Sequence, residues 1–466
     1  MTECIQEQLR FRAPSGHELV ASFDGGDITS DAGALLLRAA DDRLRLLERV
    51  AGCFRDHRDP DLIQHSVEEL LRQRIYGLAL GYEDLVDHDE LRRDPLLASL
   101  VGKRDVRGAR RRGRDQGKAL AGSRTLNRLE LSVPGQAETD RYRRISLDPQ
   151  AMDHLLVDLF LGARKRAPRS IVLDLDATDD PLHGMQEGRF FHGYYNCYCY
   201  LPLYIFCGEH LLCARLRTAD KDGASGSVEE LERIVAEIRA RWPRVQIIVR
   251  ADSGFCRDEL MSWCEAESVD YVLGVARNER LERKVGGLLS RAGRLCEQEG
   301  RTVKLYKQFR WRTRDSWSRS RRVIAKAEYS GRGPNPRFIV TTLHCRNAKE
   351  AEHLYSKVYC ARGDMENRIK EQQLYLFADR TSAHTIRANQ VRLYLSSLAY
   401  VLLSAIRRLG LAGTELAQAQ CDTIRLRLLK IGARLRVTAR RIWVHMASAC
   451  PQAEIFMLVW RRLRPT

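Results

Sequence analysis

Two short β-branched runs that stop at carboxylates constrain this chain most: IVLDLDATDD, starting at Ile171, and IIVRADSGF, starting at Ile247. Apolar runs this short, bounded by polar turn residues, predict strands buried in a sheet. In the first run Asp174 and Asp176 lie two residues apart, so both project to one sheet face while Leu173 and Leu175 point to the other. A carboxylate at the end of a buried strand costs free energy unless a cation, a hydrogen-bond donor or water satisfies it. Asp252 follows the second run and precedes Ser253 and Gly254, so it too stands where a buried strand opens into a turn. Two strand-end acids in one α/β layer can converge at the same sheet edge. Asp179 and Asp180, just before Pro181, suit turn formation instead.

Around these runs the periodicity divides the chain. Residues 1–150 predict a helical domain, because AGALLLRAADDRLRLLERV and HSVEELLRQRIYGLALGYEDL carry apolar residues at helical spacing, and its basic stretches make it the expected DNA-binding domain. Within it, KRDVRGARRRGRDQGK at 103–118 holds eight Lys or Arg residues and suits a solvated loop and a phosphate-tracking arm equally. SRTLNRLELS offers Ser123 as a helix cap with Arg124, Asn127 and Arg128 on one face; a DNA-reading helix is one account, an ordinary solvated face the simpler one. Residues 151–278 predict strand, hairpin, helix, strand, helix and strand, an α/β layer. The alternating runs TVKLYKQFRW and RRVIAKAEY predict a β-strand insertion over 279–345, in which Trp311 and Trp317 suit packing more than base stacking. Helical spacing returns over 346–410. A basic C-terminal region follows over 411–466, where RLRVTARRIWVHM predicts a strand with one basic face.

Charge narrows the partner class. The 78 Lys and Arg outnumber the 61 Asp and Glu, giving +17 over 466 residues. Such a field draws polyanions and speeds encounter with nucleic acid, though a basic scaffold would carry it too. Thirteen scattered cysteines, with no zinc-type pairing in the cluster Cys197, Cys199, Cys207 and Cys213, predict reduced thiols that pack as small apolar groups. The first residues, MTECIQEQLRF, lack the apolar run of a signal peptide, and no stretch has the ~20 apolar residues a membrane span needs. A cytoplasmic, nucleoid-associated location with no membrane partner is expected.

The third acid comes from YCARGDMENRIKEQQ, read as a helix. At helical spacing Tyr359, Arg362, Glu366, Lys370 and Gln373 fall within about 80° of one another. A solvent face with Glu366 and Lys370 paired four apart would look the same. The stripe also offers what phosphate chemistry needs: a ligand carboxylate, cations for phosphates and a hydroxyl donor. Three carboxylates can bind two hard divalent ions about 3.5–4 Å apart and drive in-line phosphoryl displacement. Two aspartates and a glutamate suit Mg²⁺, which prefers oxygen ligands. Asp174, on the face of Asp176, remains a rival for the first ligand.

These residues resemble a DDE transposase of bacterial insertion sequences. Asp176 before Ala-Thr is similar to the family's first acid, IIVRADSGF to the strand carrying the second, and Tyr359, Arg362 and Glu366 fill a Tyr-x2-Arg-x3-Glu signature. GGDITSDAGALLL, GYEDLVDHDELRRDP and FFHGYYNCYCYLPLYIFCGEHLL resemble the group named after insertion sequence 1380. The resemblance implies a ribonuclease-H-like catalytic core interrupted by a β insertion, with Asp176, Asp252 and Glu366 as catalytic metal ligands for two Mg²⁺ ions, replaceable by Mn²⁺. It implies double-stranded DNA as partner, both the terminal inverted repeats and the target, with strand cleavage and transfer by a homo-oligomer, a dimer on the DNA ends. Tyr359, Arg362 and Lys370 would then contact phosphate. Gln373 stands where the family carries Lys, and Lys370 on the same face is the substitute. A nuclease or resolvase on the same core, and a basic DNA-binding protein without catalysis, are the competing expectations.

Overall fold

The computed structural model describes residues 8–131 and 138–464. The chain forms two compact units, one of residues 148–397 and one of residues 1–147 with 398–466.

The first is a mixed α/β unit on an eight-stranded sheet. Its strands are β1 (Ser170–Ala177), β2 (Leu203–Cys207), β3 (His210–Arg215), β4 (Gln246–Ala251), β5 (Asp270–Val275), β6 (Val303–Trp311), β7 (Arg321–Ser330) and β8 (Gly333–Thr341). Their spatial order is β3-β2-β1-β4-β5-β8-β7-β6. The neighbours β1, β4 and β5 run parallel, and every other pair is antiparallel. The β2–β3 hairpin turns at Gly208 and Glu209 with Gly208 at φ 59°, a left-handed conformation that costs glycine little.

Both faces of the sheet are covered, which explains why the central strands read as nearly continuous apolar runs. One face buries Leu173, Leu175, Ile247, Val249 and Leu273 against the helices Ser227–Arg241 and Asp258–Ala266. Each fully buried Leu or Ile there contributes roughly 1.5–3 kcal/mol. On the other face, Val272, Ile324 and Ile339 pack under Ala351, Leu354 and Tyr355 toward β8, and Tyr204, Phe206 and Leu211 are buried on β2 and β3. Toward β1 that same face turns acidic.

The stretch 279–345 differs from its sequence expectation. Its first part is a 21-residue helix, Glu279–Glu299, started by Asn278, whose side chain accepts from the Leu281 N–H at 3.1 Å. The three strands β6 to β8 extend the main sheet, because β8 pairs with β5 from Val272↔Thr341 to Val275↔Phe338. The chain at 348–375 also departs from one regular α-helix: π-helical turns at Leu354–Tyr359 and Glu371–Tyr375 flank the α-helical Gly363–Lys370.

The other unit is mostly helical, as in Ala34–Leu44, Val67–Leu80 and Ser123–Glu130. Val67–Leu80 begins with a full capping box between Ser66 and Glu69. The expected separation of a C-terminal region is not found. Ala433–Val437 pairs with Ile442–Met446 on one side and with Asp27–Thr29 on the other, so the end of the chain completes the N-terminal unit. Along Ala433–Val437, Ala433 and Leu435 are buried while Arg434 and Arg436 are not, the alternation of a half-buried strand. Ser123 is the first helical residue and not the cap; Gly122 takes that place, and Ser123 donates through its N–H and its hydroxyl to Asp89, at 3.0 and 2.7 Å.

Candidate active site

Asp176 and Asp252 stand at the carboxyl ends of the neighbouring parallel strands β1 and β4. Arg250 pairs with Asp174 and Ala251 with Leu175, which puts Asp252 and Asp176 each one step beyond the last pair between β4 and β1. Asp252 is fixed by its own turn, its Oδ1 accepting from the Gly254 N–H at 2.8 Å.

Glu366 reaches this edge through Arg362. The guanidinium donates from Nη1 to Asp176 Oδ2 at 3.1 Å and from Nη2 to Glu366 Oε1 at 2.5 Å. One cation therefore spans the first and third acids. Burial pushes the Asp176 carboxyl up to about 7; Arg362 opposes this, while Asp252 and Glu366 reinforce it as like charges. The Tyr359 hydroxyl is raised too, by burial first, with Arg362 opposing and Asp252 adding to it.

Asp174 and Asp176 share a strand face but not a fate. Both oxygens of Asp174 accept from Arg250, at 2.5 and 2.8 Å, and Arg250 also donates to the Val358 carbonyl, one residue before Tyr359. The carboxylate of Asp174 is thus engaged in holding the segment that carries Tyr359, Arg362 and Glu366. Burial raises Asp174 against the pull of Arg250.

A residue that sequence reasoning passed over is Gly274 in β5. A Cβ there would lie 2.6 Å from the Tyr359 hydroxyl, 2.9 Å from the Ser253 nitrogen and 3.1 Å from the Asp252 carbonyl carbon. Only glycine lets Tyr359 and the Asp252 turn approach β5 this closely. The available signal was a lone glycine inside an apolar strand, which marks close backbone approach.

Lys370 is exposed, and Glu366 pairs with Arg362 in place of the Glu366–Lys370 pair expected for a plain solvent face. Gln373 faces the loop after β1, its Nε2 donating to Asp180 Oδ1 and to the Asp179 carbonyl, both at 3.0 Å. Asp180 is completely buried and forms a short strand with Pro181 against Cys199 and Tyr200, where a surface turn was expected. Burial drives its carboxyl well above the usual range, so a neutral amide is a suitable partner. Trp317 is buried, and Trp311 stacks edge-on with Phe309 beneath Arg280.

Among the described residues no three His, Cys, Asp or Glu side chains are grouped closely enough to hold a metal ion. The donor chemistry nevertheless suits a hard cation: the acids are all oxygen donors, Asp176 is destabilised in its charged form by burial and then by the like charges of Asp252 and Glu366, and the arginine shared by Asp176 and Glu366 supplies the positive charge. Among the described residues no helix is long and apolar enough to cross a membrane.

No curated protein matches the chain. Among solved structures it is similar to the piggyBac transposase of a cryo-EM synaptic complex with hairpin DNA. The identity is 10%, the match covers 74% of this chain and 79% of that one, and the TM-score is 0.36, too low to decide a shared fold. Residues 11–466 match the family described as "Transposase DDE domain group 1", and over that span, nearly its whole length, the chain belongs to the DDE transposases.

Proposed function

We propose that this DDE transposase cleaves and joins DNA strands at the edge formed by β1 and β4, with Asp176, Asp252 and Glu366 as ligands of two divalent ions. The observation that carries the reading is the Arg362 bridge. It draws acids remote along the chain, Asp176 and Glu366, to one cation beside Asp252, the charge pattern a divalent ion would take over. The strand order β3-β2-β1-β4-β5, with β1, β4 and β5 parallel, supports a ribonuclease-H-like core extended by β8, β7 and β6. Double-stranded DNA, as terminal inverted repeats and as target, is the substrate this reading assigns, with a homodimer holding two ends. Membership of the insertion sequence 1380 group rests on the motifs quoted above.

Bound divalent ions, Mg²⁺ or Mn²⁺, would activate the attacking oxygen and stabilise the leaving oxygen of the phosphodiester. The chain's own residues prepare the site. Asp252 is preset by the Gly254 N–H, and the helical turn carrying Glu366 is anchored through Arg250 to Asp174. Arg362 would hold a phosphate oxygen in the fork geometry guanidinium favours, were the positive charge it supplies to Asp176 and Glu366 provided by a bound ion. Tyr359 lies beside Asp252, within reach of the same phosphate, and Lys370 adds an exposed cation further along the helix.

The test uses the full chain, a labelled duplex carrying the element's end and Mg²⁺ or Mn²⁺. Asp176→Ala, Asp252→Ala and Glu366→Ala are each expected to remove cleavage and joining while duplex binding stays within a few fold of the parent. Cleavage retained in any of the three removes that residue from the triad. Hydrolysed but never joined ends from the parent would favour a nuclease or resolvase, and no metal-dependent processing at all would favour a binding protein.

A further inference from the structure

The arginine-rich segment 103–118 is not a free arm. Asp105 caps it by accepting from the Ala109 and Arg110 N–H groups at 3.1 and 2.8 Å. Gly108, at φ +63°, lies so close to Lys118 that a Cβ would meet that residue's backbone at 2.7 Å. Lys118 in turn donates to the Arg114 carbonyl at 2.9 Å. This folded loop walls a cavity of about 320 Å³, whose other walls are the start of the helix Ser123–Glu130 and the stretch around His65 and Arg92.

Five cations line the cavity: Arg92, Arg111, Arg114, Lys118 and Arg124. Two acids line it as well, and both are occupied. Asp89 accepts from Ser123, and Asp115 accepts from Arg92 at 2.9 Å. Among the described residues Arg111, Arg114, Lys118 and Arg124 have no carboxylate within ion-pair distance. Arg111 is held from behind by His65, 3.0 Å from the ring nitrogen. His65 is buried, and burial together with Lys103, Arg111 and Arg92 pushes its pKa down to about 2, so the ring stays neutral and serves as the acceptor that aims the guanidinium. Gly122 lets Arg92 close in on the helix start, where a Cβ would lie 3.1 Å from its Nη1. Cations gathered this tightly repel one another unless an anion sits among them. The volume, equal to about ten waters at ~30 Å³ each, holds a phosphodiester with its first hydration shell.

We infer that this cavity binds a backbone phosphate of duplex DNA and so fixes the N-terminal unit on the substrate. It deepens the functional reading above, on which it rests, by naming a second DNA contact built from side chains outside the acidic edge. Phosphate contacts of this kind position a protein on the duplex without reading its sequence.

The experiment measures binding of the full chain to a fluorescein-labelled duplex by polarisation across a salt series. R114Q/K118Q is expected to weaken binding at least about tenfold near 0.1 M salt and to flatten the slope of log affinity against log salt by about one. R110Q/R112Q removes the same charge from the same loop outside the cavity lining, and is expected to cost less than about threefold. T125E places a carboxylate in the cavity at the third position of the helix, where glutamate favours the helix. It is expected to lose binding as R114Q/K118Q does, with the melting temperature unchanged or raised. Cavity variants that bind within twofold of the parent, or an outer-loop pair that loses as much as the cavity pair, overturn the site. So does inorganic phosphate raising the melting temperature of the parent but not of T125E while both bind duplex equally, since that assigns the cavity to a free anion. A parent chain that binds no duplex sinks the functional reading itself, whereas loss of the cavity effect with intact metal-dependent cleavage sinks only this site.

Discussion

The carboxyl edge of the sheet and the cavity beside the arginine loop are opposites in charge and alike in strain. At the sheet edge, Asp176 and Glu366 share the Arg362 guanidinium while Asp252 accepts from its own turn, and Asp176 resists ionising. In the cavity, four of the five cations have no carboxylate within ion-pair distance, both lining acids being engaged elsewhere, while a neutral histidine steadies one of them. Elsewhere the same residue types are satisfied: Arg74 with Glu130 and Arg250 with Asp174 are buried pairs, and buried Arg321 is met by the partly exposed Asp258 and Glu265. On the readings proposed above, a charge left with too few partners marks a binding place, for a divalent cation at the sheet edge and for a phosphate in the cavity.

The largest effect expected is catalytic. Replacing Asp252 or Glu366 by Ala should lower strand cleavage at least about a thousandfold, a barrier change of about 4 kcal/mol, with the melting temperature little changed. Duplex binding and cleavage measured side by side on each variant check it. Asp174→Ala should instead be structural. It strands Arg250 in the interior, and breaking a buried pair from one side costs about 3–5 kcal/mol, read as a fall in chemical-denaturation midpoint.

Asp176→Asn should have the opposite sign. An acid whose folded pKa is raised from 3.8 to about 7 contributes stability that is fully present below pH 3.8 and lost as pH rises through 7. Without metal, the asparagine variant should therefore match the parent near pH 4 and exceed it by roughly 2–4 kcal/mol at pH 8. Added divalent ion should narrow that gap by stabilising the parent alone. A parent that outlasts the variant at pH 8 without metal would show that the acid edge is not strained.

Gly274→Ala should be milder, costing about 1–3 kcal/mol of stability as Tyr359 and the Asp252 turn shift, with a larger proportional loss of cleavage than of folded protein. Lys370→Ala should change stability by less than about 0.5 kcal/mol, since the side chain is exposed. A rise in KM for duplex without a fall in melting temperature would fit its expected phosphate contact.

Much of the edge was legible because its residues obey local rules. The runs before Asp176 and Asp252 are strands for the reason their composition suggests, and helical spacing puts Arg362 and Glu366 on one face four residues apart. That spacing is less faithful over the whole stripe, because the π-helical turns change the angle per residue on either side of Gly363–Lys370. Gly274 stayed hidden since its contribution is the space it leaves. The helix Glu279–Glu299 escaped notice because its buried stripe is thin, Leu281, Val285, Ala292 and Gly293 amid many charges. The union of Ala433–Val437 with Asp27–Thr29 could not be read at all, because strand pairing across the length of a chain leaves no periodic trace.

That last pairing also sets an order of events during synthesis. Asp27–Thr29 leaves the ribosome on the order of 20–80 s before Ala433–Val437 at ordinary elongation rates of about 5–20 residues per second. The strands β1 to β8 all emerge in the interval and can assemble their sheet while the earlier segment still waits for its mate. A message broken near its 3′ end would then yield a folded acidic edge on a polypeptide whose Asp27–Thr29 strand never finds its mate.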